Sequence, residues 1–294
     1  MKTRSEKEMY NLIINFAKKD ERIRGVLLNG SRANPNIEKD IFQDYDIVYL
    51  VTKVEPFKDE KYILSHFGEI MIMQKPEDKI WRSPIGDGRY TYLLQFIDGN
   101  RIDMQIINRE NVDDFIEDSL TKVLLDKDKN IHYISPPSEK SYFINKPTEK
   151  LYNDCCNSFI WGLGSHIPKT IWREELPLLK SLINKVLREP LIQMLKWQVG
   201  IKTNYECTIG KGGKNLKKYL KPEIWNKYKK TYADYNFDNI WNSLFKLHEL
   251  FKKLAKQVAD KYDYCFPEKE YERAFKFLKH VKKLPPDSKI IFNK

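Results

Sequence analysis

The chain has 294 residues, 41% of them hydrophobic and 13% aromatic, with a net charge of +11; this is enough apolar material for two ordinary domains and excludes wholesale disorder. It has no run of about 18 or more apolar residues, and the charged start MKTRSEKEMYNLI lacks the apolar core of a secretion signal, so a cytoplasmic protein with no membrane partner is expected. The cysteines Cys155, Cys156, Cys207 and Cys265 form no C-x-x-C pair and the histidines His66, His132, His166, His248 and His280 are scattered, which points away from a zinc site or a disulfide framework.

Taken in order, residues 6–19 place Met9, Leu12, Ile13 and Phe16 at helical spacing. Residues 23–29 (IRGVLLN) read as a strand ending at Gly30, and residues 31–43, with Asn34-Pro35-Asn36, as a loop. Residues 44–51 (DYDIVYLV) are a β-branched and aromatic run and predict a strand. Further strands are expected at 70–74, 90–98 and 101–107, with Asp98-Gly99-Asn100 as a hairpin turn, followed by a helix over 110–120. The Ser- and Pro-rich stretch 135–150 reads as a linker. After it, helical patterns dominate at 148–164, 172–188, 190–198, about 214–231 and 238–262. The expected class is α+β, with a mixed-sheet domain over 1–135 and an α-helical bundle domain over 136–294.

Charge divides the same way. Residues 1–135 hold 21 Lys+Arg and 24 Asp+Glu, a net of −3, and residues 136–294 hold the remaining 31 and 17, a net of +14. An acidic part can hold a metal or a cationic substrate and a basic part can hold polyphosphate; the bland alternative is a solvated lysine-rich surface. The basic half also invites a nucleic-acid reading. No DNA- or RNA-binding motif supports it, and the aromatics there recur at helical spacing (Trp225/Tyr228/Tyr232, Trp241/Phe245) as packing faces do, so no nucleic-acid partner is expected.

The chemistry concentrates in Gly30-Ser31-Arg32, Asp44-x-Asp46 and Asp103. Side chains two apart on a strand share a face, so Asp44 and Asp46 project together. Such a pair suits Mg²⁺, a hard cation usually held by one or two carboxylates plus substrate phosphates. A strand ending in Gly-Ser permits a close turn, and a helix following it would offer N–H groups to phosphate.

LNGSR at 28–32 followed by DYDI at 44–47 resembles the signature of the DNA polymerase β-like nucleotidyltransferase superfamily, in which a third acid on a later strand, here Asp103 in RIDMQ, completes the set. FQDYDI (42–47), MQKPED (73–78), GNRID (99–103), NDCCN (153–157), GIKT (200–203) and IGK (209–211) further resemble the aminoglycoside 6-adenylyltransferases, from the N-terminus to about residue 270. The resemblance implies transfer of AMP from ATP to the 6-hydroxyl of streptomycin with release of pyrophosphate, and hence resistance. It implies a nucleotidyltransferase domain followed by a helical domain with the site in the cleft between them, Asp44, Asp46 and Asp103 as the acidic triad, and Gly30, Ser31 and Arg32 facing the triphosphate. ATP and an aminoglycoside are the expected partners, Mg²⁺ the cofactor, and a monomer the expected state. Gly212-Gly213 after Lys211 departs from the bulkier residues of relatives and leaves the lysine contacts open.

On this reading Asp103 is the first choice for general base, with Glu174 and Glu175 as the runner-up base or as partners of the drug's cationic groups. Lys202, Lys211 and Lys214, in a stretch with Gly200, Gly210, Gly212 and Gly213, are expected to meet phosphates, although this is not a P-loop. Trp81, Trp161 and Trp172 are candidates for the acceptor site. A relative acting on another aminoglycoside, a lincosamide or a protein hydroxyl stays open as an alternative.

Overall fold

The structure is a computed structural model that describes residues 2–81, 86–116, 118–131 and 135–292; His132 lies outside them. The chain divides into two compact units between Ser141 and Tyr142. Among the described residues no helix is long and apolar enough to cross a membrane.

The first unit runs α1 (Glu6–Lys19), β1 (Ile23–Asn29), β2 (Tyr45–Val51), α2 (Glu60–Phe67), β3 (Ile70–Gln74), β4 (Tyr90–Phe96), β5 (Arg101–Asn108), α3 (Asp113–Ile116) and β6 (Lys122–Asp126). Helix α1 starts at a capping box, in which Ser5 and Glu8 satisfy each other's backbone N–H, and it buries Met9, Ile13, Phe16 and Ala17. The six strands stand in the order β3-β4-β5-β2-β1-β6. Their pairings are antiparallel except between β2 and β5, which run parallel.

Alternation along the strands sorts the side chains onto two faces. Val26 and Leu28 of β1, Tyr45, Ile47, Tyr49 and Val51 of β2, and Ile102, Met104 and Ile106 of β5 pack with α1 and α2 in the main core. Leu27, Val48, Leu50 and Ile107 fall on the other face, in a smaller cluster with Val112 and Ile116. Asp46 and Asp103 share the parity of that second set, so the alternation that fills the core turns both carboxylates away from it.

The second unit carries α4 (Glu149–Trp161), α5 (Ile167–Trp172), α6 (Leu176–Leu182), α7 (Glu189–Lys202), α8 (Leu216–Tyr219), α9 (Pro222–Lys229), α10 (Phe237–Tyr262) and α11 (Glu268–Val281). Wide π turns at Gly162–His166 and Ile183–Arg188 join α4 to α5 and α6 to α7. The core includes Trp197, fully buried, and a stack of Phe159 on Phe251 with ring centres 3.6 Å apart. Trp225, Tyr228 and Tyr232 touch ring to ring, as do Trp241 and Phe245. All four cysteines are free thiols.

Several expected elements differ. The helix over 110–120 reduces to the single turn α3, preceded by a 3-10 turn. The helix over 172–188 begins only at Leu176, because Glu174 adopts a left-handed φ of 55° that ends α5. The helix over 214–231 is two pieces, because Leu220 is extended ahead of Pro222.

His248 on α10 is buried between Tyr271 and Phe275 of α11, with ring centres 5.0 Å and 3.5 Å away. Neither ring nitrogen has a hydrogen-bond partner among the described residues. Burial, and then the Lys252 ammonium, hold its pKa down at about 4. An unfolded histidine takes up its proton below about pH 6.5, whereas this one stays neutral down to about 4, so the unfolded state binds more protons between those values. The contribution of this histidine to stability is therefore complete above about pH 6.5 and is lost on acidification toward 4. Denaturant titrations of the wild type and His248→Phe at pH 7.5 and pH 5 should differ in their pH dependence by about 2 kcal/mol, the wild type losing that much more on acidification than the variant.

Candidate active site

β1 ends at Asn29 and the chain turns through a 3-10 turn, Gly30–Arg32. The expected phosphate-facing helix after Gly-Ser is absent; three residues of 3-10 turn stand in its place. Gly30 has a φ of +69°, and a Cβ built on it would sit 2.2 Å from Oδ2 of Asp46. The turn is thus closed down onto a carboxylate, and only glycine leaves room for that approach.

The loop returns at Asp44, one residue before β2, and Arg32 fixes it there. The Arg32 Nε donates to the Asp44 carbonyl at 2.9 Å and Nη2 to the Gln43 carbonyl at 2.7 Å. The guanidinium lies 3.8 Å over the Tyr45 ring, approaches Glu6 of α1 at 3.5 Å and is only 10% exposed. Nε and Nη2 are committed to main-chain oxygens and Nη1 faces Glu6, which makes Arg32 a brace for Asp44.

The parallel register pairs Asp46 with Asp103, and β1 pairs Asn29 with Asp46. Carboxylate oxygens of Asp44, Asp46 and Asp103 come within 4.8 Å of one another, all three residues being partly buried. Burial and then the charges of Asp44 and Asp103 raise the Asp46 carboxyl to about 7. Asp103 is not free: Arg101 grips it with Nε to Oδ1 and Nη2 to Oδ2, both at 2.7 Å. Asn29, on the same face as Asp46, keeps a buried side-chain oxygen that has no partner among the described residues.

Three crowded carboxylates, one of them driven toward its protonated form by burial and then by the other two, fit a divalent cation. An all-oxygen donor set is the kind that Mg²⁺ takes, and its charge would relieve the repulsion. Asp44, Asp46 and Asp103 would hold it.

Sequence reasoning missed Arg101 and Asn29. Arg101 was visible as R-x-D on a strand, two residues from Asp103 and therefore on its face. Asn29 became meaningful only through its register with Asp46.

The other expected site residues are spread over both units. Trp81 of the first unit is 80% exposed. In the second unit Glu174 is exposed in the turn after α5, and Glu175 stands at the N-terminal boundary of α6, its side chain 3.9 Å from Arg173 and making no cap bond. Trp161 is exposed and donates to His166 at 3.2 Å; Trp172 is partly buried, its indole N–H unpartnered among the described residues. Lys202 ends α7, and Lys202, Lys211 and Lys214 are all exposed. Two of the neighbouring glycines serve packing: a Cβ on Gly200 would meet the Tyr205 ring at 2.4 Å, and one on Gly213 would meet Leu216 at 2.8 Å. Gly212, with φ +63°, opens onto free space.

A family model described as streptomycin adenylyltransferase matches residues 3–281. The aminoglycoside 6-adenylyltransferase of Bacillus subtilis (strain 168) is 39% identical over 267 residues, covering 90% of this chain and 94% of the relative. That of Campylobacter jejuni is 37% identical over 265 residues, covering 90% and 91%. Among solved structures, the crystal structure of an aminoglycoside 6-adenyltransferase from Bacillus subtilis aligns with 96% of this chain and 100% of its own, at 34% identity and a TM-score of 0.47.

Proposed function

This chain belongs to the streptomycin adenylyltransferase family, and we propose from that premise that it transfers AMP from ATP to the 6-hydroxyl of an aminoglycoside, streptomycin, releasing pyrophosphate and conferring resistance. The observation that carries the reading is the meeting of Asp44, Asp46 and Asp103 on one face of the sheet, under a glycine turn that touches Asp46.

In this reading the acceptor hydroxyl attacks the α-phosphorus of ATP, the bond to the pyrophosphate oxygen breaks, and the hydroxyl proton passes to a carboxylate. In this reading Asp103 takes that proton. Mg²⁺, when bound, supplies positive charge against the leaving pyrophosphate. Gly30 and Ser31 let the triphosphate approach the main chain, and Lys202, Lys211 and Lys214 offer mobile cations to it. Glu174 and Glu175 answer the cationic groups of the drug, and Trp81 and Trp172 offer apolar surface to its rings. The enzyme works in the cytoplasm as a monomer.

The test mixes the protein, Mg²⁺ and ATP with a panel of aminoglycosides and measures pyrophosphate release and the position of the AMP adduct. Pyrophosphate released with streptomycin, with the adduct on the 6-hydroxyl, is expected. An adduct on another drug or another hydroxyl would move the substrate assignment and leave the reaction class standing. Absence of pyrophosphate release with every acceptor would overturn both.

A further inference from the structure

We propose that Arg101 is a placeholder cation: it holds Asp103 when no divalent cation is bound, and it competes with that cation for the carboxylate. The proposal rests on reading Asp44, Asp46 and Asp103 as the cation site.

The competition follows from strand geometry. Arg101 and Asp103 are two apart on β5 and lie on one face, so the guanidinium reaches back along the strand to its own neighbour. The parallel register then sets the Asp103 end of this pair beside Asp46. Both carboxylate oxygens of Asp103 receive a guanidinium N–H at 2.7 Å, the bidentate form in which an arginine fork holds a carboxylate best. One of those oxygens belongs to the set that closes to within 4.8 Å with Asp44 and Asp46. A guanidinium and a divalent cation on one carboxylate repel each other across a few ångströms, so each weakens the other's hold. By linkage the effect is mutual: whatever the pair subtracts from cation binding, the cation subtracts from the pair.

The surroundings of the two arginines at the site show which one can yield. Arg32 is 10% exposed, stacked on Tyr45 and tied to two carbonyls. Arg101 is 45% exposed, against 20% for Asp103. It can turn out to water without leaving its charge buried, while Asp103 stays in place. The arrangement also answers a need of the triad itself: three crowded carboxylates repel, and Arg101 supplies a counter-charge to them.

The experiment titrates the nucleotide-free protein with Mn²⁺, read by water-proton relaxation, for the wild type, Arg101→Met, Arg101→Lys and Asp44→Asn. A half-exposed ion pair is weak, so the expected gain is a few-fold. Arg101→Met should bind Mn²⁺ about fivefold more tightly than the wild type. Arg101→Lys keeps the charge but loses the two-pronged grip, so it should fall between the two. Arg101→Met no tighter than wild type, or Arg101→Lys identical to wild type, would overturn the proposal; the second result would mean that distant charge alone accounts for the effect. Asp44→Asn tests the underlying site independently. If it binds Mn²⁺ as well as the wild type, or if the wild type binds none, the triad is not the cation site and the proposal falls with it. Weakened binding in Asp44→Asn beside unchanged Arg101 variants would overturn the proposal alone.

Discussion

Gly30→Ala is expected to lower adenylyl transfer by about 10²-fold or more while the protein stays folded. The new methyl group would stand 2.2 Å from Oδ2 of Asp46 and 3.0 Å from its Cγ, far inside contact distance. The atom it strikes is the free end of a short side chain, so the collision is relieved by moving the carboxylate rather than the sheet. A left-handed φ of +69° adds a backbone penalty of about 1 kcal/mol for a residue with a Cβ. Stability should therefore fall only by about 1–2 kcal/mol, while the displaced carboxylate no longer meets Asp44 and Asp103. Steady-state rates of pyrophosphate release beside a thermal melt separate the two effects. A variant that melts normally and transfers AMP at the wild-type rate would remove Gly30 from the site.

Asp46→Asn should cost more, about 10³-fold in transfer, and should make the cation-free protein more stable at the same time. Asp46 is the central acid of the three. Its carboxyl is raised to about 7, first by burial and then by the charges of Asp44 and Asp103. In the folded protein it keeps its proton up to about pH 7, whereas in the unfolded chain it ionises near 4. Between those values the folded state binds more protons, so this group's contribution to stability is full below about pH 4 and is lost as pH rises through 7. At pH 8 the wild type carries a crowded buried charge that asparagine lacks, and the variant should be more stable by roughly 2 kcal/mol. Divalent-cation binding needs the carboxylate, so wild-type affinity should fall about fivefold from pH 7 to pH 6. The variant should show weak binding with no such slope. A rate near that of the wild type would exclude Asp46 from the chemistry.

The parts of the site that could be read in the sequence are those that local rules fix. β1 and β2 announce themselves by apolar runs, Gly30 by its place after a strand, and the Asp44/Asp46 pair by two-residue spacing at a strand's start. The parity that turns Asp103 to the same side as Asp46 follows from the apolar residues Ile102, Met104 and Ile106 that alternate around it. What could not be read depends on contacts between distant segments. β6 offers only a brief Val-Leu-Leu run and exists as a strand because β1 pairs with it. Helix α2 is eight residues long, too short for its period to stand out. Helix α11 hides Tyr271, Leu278 and Val281 among seven charged residues and a histidine. The contacts of Arg32 with the carbonyls of Gln43 and Asp44 could not be read either, because they depend on how the loop returns to β2.

The single parallel pairing in the sheet also bears on how the protein comes to be functional. β2 and β5 meet only after the chain has crossed over through α2, β3 and β4. Closing so long a loop is slow compared with forming a hairpin. A nascent chain that has made β1 and β2 carries two of the aspartates but not the third, so the complete set is a late product of folding. A cation that recognises all three therefore stabilises the finished molecule and none of its precursors.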